Sequence, residues 1–348
     1  MAEKKQFSYE NLSKYRNVLM GLQIILIIVF HYTADSYYVK DSAIIHLFWK
    51  YIRSSGVDIF LLLSGVGLYF SWKRNPNARI FYIKRYTRIL IPYFIVAIPA
   101  WIYLDIFVLE RGWIAFIKDL FFISFFFDQT RWFWYIMMIG ICYWVFPYIF
   151  KIVESAADRI TAQMRILLLC GASTLILVML QLYHSDLYSN VSIAVTRIPA
   201  FLMGVLVGRA VYEKRIVPRK NIWIMAVLAI LIAYPLQMVT KKIIGVYSLA
   251  FLNYSLSLIF IMLLAYLCRC RNKCMAGLHS LTVTILGWFG KYTLELYLLH
   301  VMVRKILNQL GYPTYRLVYE AILVIISIVL SIILSRVTGW IQKKIQRK

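Results

Sequence analysis

Val18–Phe30 reads VLMGLQIILIIVF, thirteen residues with one polar side chain, Gln23, and the run ends on the imidazole of His31. In hydrocarbon every backbone N–H and C=O must find its partner within the segment, so such a run is a helix. With its flanks, Tyr15 to Tyr32, it approaches the roughly 20 residues that span a bilayer. A titratable ring near the end of a membrane helix has to face water, a partner or a substrate, because facing lipid costs desolvation. Position alone leaves two readings of His31 open: a side chain wetted by headgroups, or a working imidazole.

The remainder of the chain has the same character. Of 348 residues 62% are hydrophobic, and the mean hydropathy is +0.72; soluble domains sit nearer one half apolar. The expected fold is an all-α polytopic membrane protein with about ten transmembrane helices around a central cavity. The apolar runs place the spans at Val18–Tyr32, Val57–Trp72, Ile89–Leu109, Trp132–Phe150, Ile166–Tyr183, Ile193–Val211, Ile222–Val239, Val246–Cys268, Leu281–Val303 and Leu317–Trp340. Two shorter segments, Ile44–Tyr51 and Trp113–Phe127, suit helices lying in the interface or dipping into the protein.

Positive charge orients these spans. The net charge is +24, and the even-numbered connections with both termini carry 24 Lys and Arg against 11 on the odd connections. Basic loops stay inside, so both termini are expected in the cytoplasm, with His31 toward the outer side. The expected division is a cytoplasmic tail over 1–17, one transmembrane domain over 18–340 and a basic cytoplasmic tail over 341–348. The basic residues lie in short blocks between apolar runs, which fits anionic headgroups rather than nucleic acid. Cys142 and Cys170 fall inside apolar runs; Cys268, Cys270 and Cys274 lie in a basic loop without a second pair at metal spacing. They read as free thiols, and no metal is expected. No small-residue cleavage site follows the first apolar run, which reads as a retained helix.

Ionisable groups inside spans are the best pointers to function. Asp58, in Gly56-Val-Asp58-Ile-Phe-Leu-Leu-Leu-Ser64-Gly65, sits at about the depth of His31 if its span starts outside. It is either a carboxylate that orients the imidazole or an N-terminal cap. Glu295, in the middle of the ninth span, is either held in a wet cavity or bridged to Lys291 four residues earlier. His300, near the outer end, has an interfacial reading. Arg85 and Arg88, at helical spacing, offer two guanidiniums on one side for a phosphate, although cytoplasmic topology alone also predicts basic residues there. No glycine-rich phosphate loop, HExxH, GxSxG or paired CxxC occurs.

Six blocks in this order resemble the family 3 membrane acyltransferases, the integral-membrane O-acyltransferases that modify bacterial surface glycans. They are Leu26-Ile-Ile-Val-Phe-His31, Val57-Asp58-Ile-Phe-Leu-Leu-Leu-Ser64-Gly65, Tyr82-Ile-Lys-Arg85-Tyr-Thr-Arg88-Ile-Leu-Ile-Pro92-Tyr93, Trp132-Phe-Trp134-Tyr135, Arg197-Ile-Pro199-Ala-Phe-Leu-Met-Gly204 and Gly290-Lys-Tyr-Thr-Leu-Glu295-Leu-Tyr297-Leu-Leu-His300. The resemblance covers nearly the whole chain. It implies ten or so helices around a cavity, an acyl-coenzyme A co-substrate, acetyl above all, and an acceptor hydroxyl on an extracytoplasmic polysaccharide or lipid-linked sugar. It also implies His31 as the base, with Arg85 and Arg88 serving the donor; Asp58 and Glu295 remain catalytic candidates from their placement inside spans.

One position departs. The family usually carries an arginine eleven residues before the histidine, where this chain has Met20. Arg16 is fifteen residues before His31, about 22 Å along an ideal helix; Arg16, Arg131 and Arg197 are all candidates to replace it. The implied location is a plasma or inner membrane, multi-pass, and self-association is left open. The alternative from another class is a transporter or exporter of polysaccharide intermediates or a small amino acid, working without covalent chemistry. No paired broken helices are visible in the two halves of the sequence.

Overall fold

The computed structural model describes residues 6–35, 43–245, 257, 260–262, 264–268 and 276–346. Most of the eighth expected span, with Cys270 and Cys274, lies outside them. The described chain is helical apart from one short antiparallel ribbon. Five helical segments among these residues are long and apolar enough to cross a membrane: Ala78–Val108, Trp134–Glu154, Arg159–Tyr183, Ser185–Tyr212 and Leu317–Ile345. Arg16–Tyr32 is a shorter apolar helix of the same kind.

In order, strand β1 (Gln6–Ser8) and α1 (Glu10–Lys14) lead into α2 (Arg16–Asp35), which carries His31. Helix α3 (Ala43–Arg74) follows, then α4 (Ala78–Trp101), which widens just past Pro99 into a π segment, Ile102–Val108. Two short helices, α5 (Gly112–Leu120) and α6 (Ile123–Phe127), cover the stretch expected to lie in the interface. They expose Trp113, Ile114, Phe121 and Phe127, as an amphipathic piece does. Then come α7 (Trp134–Glu154), α8 (Arg159–Tyr183), α9 (Ser185–Val195), α10 (Ile198–Tyr212), β2 (Ile216–Pro218) and α11 (Arg219–Ile244). The chain closes with α12 (Ala276–Lys291), α13 (Thr293–Gln309) and α14 (Leu317–Gln346).

Three of these boundaries correct the sequence expectation. Ile44–Tyr51 is not separate: it is the first half of α3, so Asp58 lies inside a continuous helix and does not cap one. The sixth span begins earlier and breaks at Thr196 and Arg197, between α9 and α10. The ninth span breaks at Tyr292, which puts Glu295 in the first turn of α13 rather than in mid-helix. Hydropathy responds to the apolar run and is silent about a one-residue interruption within it.

Helix α3 lies between two apolar clusters. Phe60, Leu62, Leu63 and Val66 pack toward α2, α4 and α13, while Leu61, Leu68 and Tyr69 pack toward α7 and α10. The bundle is tied at both ends. At one end β1 pairs with β2 in antiparallel register, Phe7 opposite Val217; Lys73 Nζ and the Tyr69 hydroxyl both meet Glu154, at 2.5 and 2.6 Å. Asp158 caps α8 by accepting the Thr161 N–H at 2.7 Å, which holds its carboxyl below the ordinary range. At the other end Arg304 Nη2 meets both carboxylate oxygens of Glu320 at 2.7 Å. Arg111 there bridges Asp105 and Asp119, whose side chains are fully buried.

Candidate active site

A cavity of about 500 Å³ opens where α2, α3, α4, α7, α12, α13 and α14 converge. Helix α2 lends Arg16, Asn17 and Met20 to its wall, α4 lends Arg85 and Arg88, and α13 lends Glu295 and Tyr297. Two glycine contacts set the first of these walls. A Cβ on Gly290 would stand 1.9 Å from the carbonyl oxygen of Asn17, and one on Gly21 would stand 1.8 Å from that of Leu286. Helices α2 and α12 therefore touch backbone to backbone, as small residues permit. That contact is part of why the chain breaks after Lys291: Gly290 is pinned against α2 and Thr293 Oγ1 turns back to donate to its carbonyl at 2.9 Å.

Charge in the cavity is one-sided. Arg16, Arg85, Arg88 and Lys291 line it, and Glu295 is the carboxylate that shares it. Among the described residues none of the three guanidiniums is in an ion pair, and the Lys291–Glu295 bridge allowed by the sequence does not form. The Arg16 Nε donates to the Leu63 carbonyl at 3.4 Å, and its guanidinium passes within 3.6 to 3.8 Å of where a Gly67 Cβ would be. The Arg85 guanidinium lies 5.7 Å from the centre of the Phe81 ring. Unpaired guanidiniums on the wall of an apolar bundle are costly unless water or an anion meets them. A cavity so lined is suited to a polyanionic ligand, and the fork geometry of guanidinium to phosphate.

Of Arg16, Arg131 and Arg197, the structure places Arg16 on the cavity wall. Arg131 donates to the carbonyl of Ser189, and Arg197 is paired with Asp58, Nη1 to Oδ2, at 2.8 Å. Both are held elsewhere, while Arg16 lines the cavity beside Arg85 and Arg88. The Asp58–Arg197 pair is buried, with side-chain exposures of 0% and 8%. Asp58 thus joins α3 to the start of α10; the group that pairs with it is a guanidinium, not the imidazole of His31. The sequence could not supply that partner, which is 139 positions away.

His31 does not line the cavity. It is half-buried and stands one ring beyond its far wall, reached through a chain of rings. Tyr135 and Tyr297, both on the wall, lie 5.3 Å apart between ring centres; Tyr297 lies 6.1 Å from His300, and His300 lies 5.3 Å from His31. His300 is fully buried, which corrects the interfacial reading. Its Nδ1 is 2.7 Å from the carbonyl of Leu296; a carbonyl only accepts, so Nδ1 carries the proton.

A comparison with family profiles matches residues 15–336, nearly the whole chain, to the acyltransferase domain of the family 3 acyltransferases. The chain belongs to that family. No curated protein and no solved structure matches it. As a family 3 acyltransferase the protein moves acyl groups, and its apolar helices are those of a membrane protein. Sequence reading missed one wall of this acyltransferase's cavity, formed by Ser335, Thr338, Gly339 and Gln342 of α14. The signal was present: Ser331, Ser335, Thr338 and Gln342 recur at helical spacing on an otherwise apolar helix.

Proposed function

We propose that this protein transfers an acetyl group from cytoplasmic acetyl-coenzyme A, through the membrane, to a hydroxyl of an extracytoplasmic polysaccharide or lipid-linked sugar. In this reading the chain is multi-pass in a plasma or inner membrane, with about ten spans and both termini inside. The donor's phosphates sit against Arg16, Arg85 and Arg88, and its thioester arm runs past Tyr135 and Tyr297 toward His31. Tyr135 and Tyr297 line the cavity and His31 does not, so delivery requires the arm to pass their rings. His31 takes the proton of the sugar hydroxyl as that oxygen attacks the thioester carbonyl. The C–O bond forms, the C–S bond breaks, and the proton passes on to the departing thiolate. Glu295, in the first turn of α13, stays on the donor side, where it limits the positive charge of the cavity and helps to position the arm. Asp58 acts through Arg197 to hold α3 against α10.

The observation that carries the reading is the placement of Arg16 and His31 on one helix. Fifteen residues apart, they are separated by about 22 Å of rise and roughly 60° of rotation, so one face of α2 runs from a cationic cavity to an imidazole. A polyanionic donor at one end and a base at the other suit a transfer across the bilayer. The test offers radiolabelled acetyl-coenzyme A to purified protein in lipid nanodiscs with a surface-polysaccharide preparation. Wild type should label the polysaccharide, and His31→Ala, present in equal amount, should not. Equal labelling by His31→Ala removes the histidine from the mechanism; a wild type that moves polysaccharide without labelling it favours a carrier.

A further inference from the structure

We infer that His300 is the positioning residue for His31: a second, buried imidazole that fixes the tautomer of the first and accepts its hydrogen bond while it works. The inference rests on the reading of His31 as the base. Three observations carry it. The two rings are packed together, 5.3 Å between centres and tilted by 48°. The proton of His300 is committed at Nδ1, which lies 2.7 Å from the Leu296 carbonyl. That leaves Nε2 as an acceptor, and among the described residues no donor reaches it although it is fully buried.

A buried acceptor without a donor costs about 1–3 kcal/mol. The ring next to it is the imidazole of His31, and a neutral imidazole carries one N–H. Imidazole nitrogens lie roughly 1.1 Å from the ring centre, so centres 5.3 Å apart leave about 3 Å between facing nitrogens, which is hydrogen-bond range. A rotation of His31 that turns one N–H onto His300 Nε2 satisfies that buried nitrogen. It also leaves the other His31 nitrogen with its lone pair exposed, which is what a base requires. When His31 takes the hydroxyl proton it becomes a cation, and its bond to His300 becomes charge-assisted and stronger. No proton moves onto His300; it returns from His31 to the thiolate. Helix α13 makes this possible because Tyr297 and His300 sit one turn apart, so the residue that ends the cavity and the residue that holds the base share a face.

The side chains Asn and Gln separate this role from simple anchoring. An Asn amide reproduces the Nδ1–H and its bond to Leu296, but nothing at Nε2. A Gln oxygen reaches the Nε2 position and loses the bond to Leu296. Purified full-length His300→Asn, His300→Gln and His31→Ala are assayed for thiol release from acetyl-coenzyme A in the presence of the polysaccharide preparation, with a thermal midpoint for each. The expected result is a fall in kcat on the order of 10- to 100-fold for His300→Asn, at unchanged KM for acetyl-coenzyme A and unchanged midpoint, with His300→Gln faster than His300→Asn. His300→Asn at wild-type kcat, or His300→Gln no faster than His300→Asn, overturns the inference. The His31→Ala control separates the two failures: if it stays active the base reading falls, and if it is dead while His300→Asn is fully active only the positioning role falls.

Discussion

Gly290→Ala tests whether the contact between α2 and α12 sets the working geometry of the cavity. The added Cβ would lie 1.9 Å from the Asn17 carbonyl oxygen, whereas ordinary contact begins at 3.4 Å. The obstacle is backbone, so no rotamer change relieves it, and the two helices must separate locally by about 1.5 Å. Gly21 makes the reciprocal contact with Leu286 less than three turns away, so the strain is not absorbed by sliding one helix along the other. Overpacking of this kind costs about 1–3 kcal/mol. The functional loss should be larger. Arg16, Asn17 and Met20 ride on the displaced turn, and a misplacement near 1 Å is associated with roughly 100-fold in rate. The assay compares thiol release from acetyl-coenzyme A and thermal midpoints for wild type, Gly290→Ala and Gly277→Ala. Gly277 is in the same helix and a Cβ there meets nothing within 4 Å, so its variant should stay within about 0.5 kcal/mol of wild type. Gly290→Ala with wild-type kcat/KM and midpoint would show that the backbone contact does not position the cavity wall.

Arg16→Ala and Arg85→Ala should each raise the KM for acetyl-coenzyme A by roughly 10- to 150-fold, the worth of a charged hydrogen bond at about 1.5–3 kcal/mol; an unchanged KM for Arg16→Ala would take it out of the donor site. Asp58→Leu strands the buried guanidinium of Arg197 and should cost about 3–5 kcal/mol, whereas adding Arg197→Met should recover most of that. Thermal unfolding decides, and equal losses in the single and double variants would mean the pair is not a unit. Glu213 is partly desolvated, which raises its pKa, but hydrogen bonds from Arg215 and Arg209 outweigh this and hold it below the ordinary carboxylate value. Its contribution is therefore present above about pH 4.3 and is lost as pH falls through the lowered value. Glu213→Gln should cost no more than about 1 kcal/mol at pH 7, because the group is partly exposed, and nothing in acid; a cost that persists in acid would contradict the assignment.

What the sequence made legible was local. The helix that runs up to His31 and the short amphipathic helices of Trp113–Phe127 were readable because their physics is decided within twenty residues. Asp58 shows the limit. A carboxylate near a histidine in depth is equally near other helices in space, and its guanidinium lies 139 positions away. The break at Tyr292 was hidden for a related reason. Nothing in Lys291-Tyr292-Thr293 is a strong helix breaker, and the interruption comes with Gly290 pressed against Asn17 of another helix. The basic residues of α3 misled in the opposite direction: Lys50 and Arg53 look like a connection between an interfacial helix and a span, yet Ala43–Arg74 runs through unbroken.

The missing arginine at position 20 and the glycine at position 67 are best understood together. Arg16 is one turn nearer the helix start than Met20 and on nearly the same face. Side chains on a helix lean toward its N-terminus, so an arginine at 16 left to itself would point out of the cavity. It is turned sideways instead, its Nε on the Leu63 carbonyl and its guanidinium lying over the space left open by Gly67. A larger residue at 67 would close that space and push the guanidinium away from Arg85 and Arg88. In this chain the guanidinium of Arg16 lies one turn before Met20, and α3 supplies the room that keeps it facing the cavity with Arg85 and Arg88.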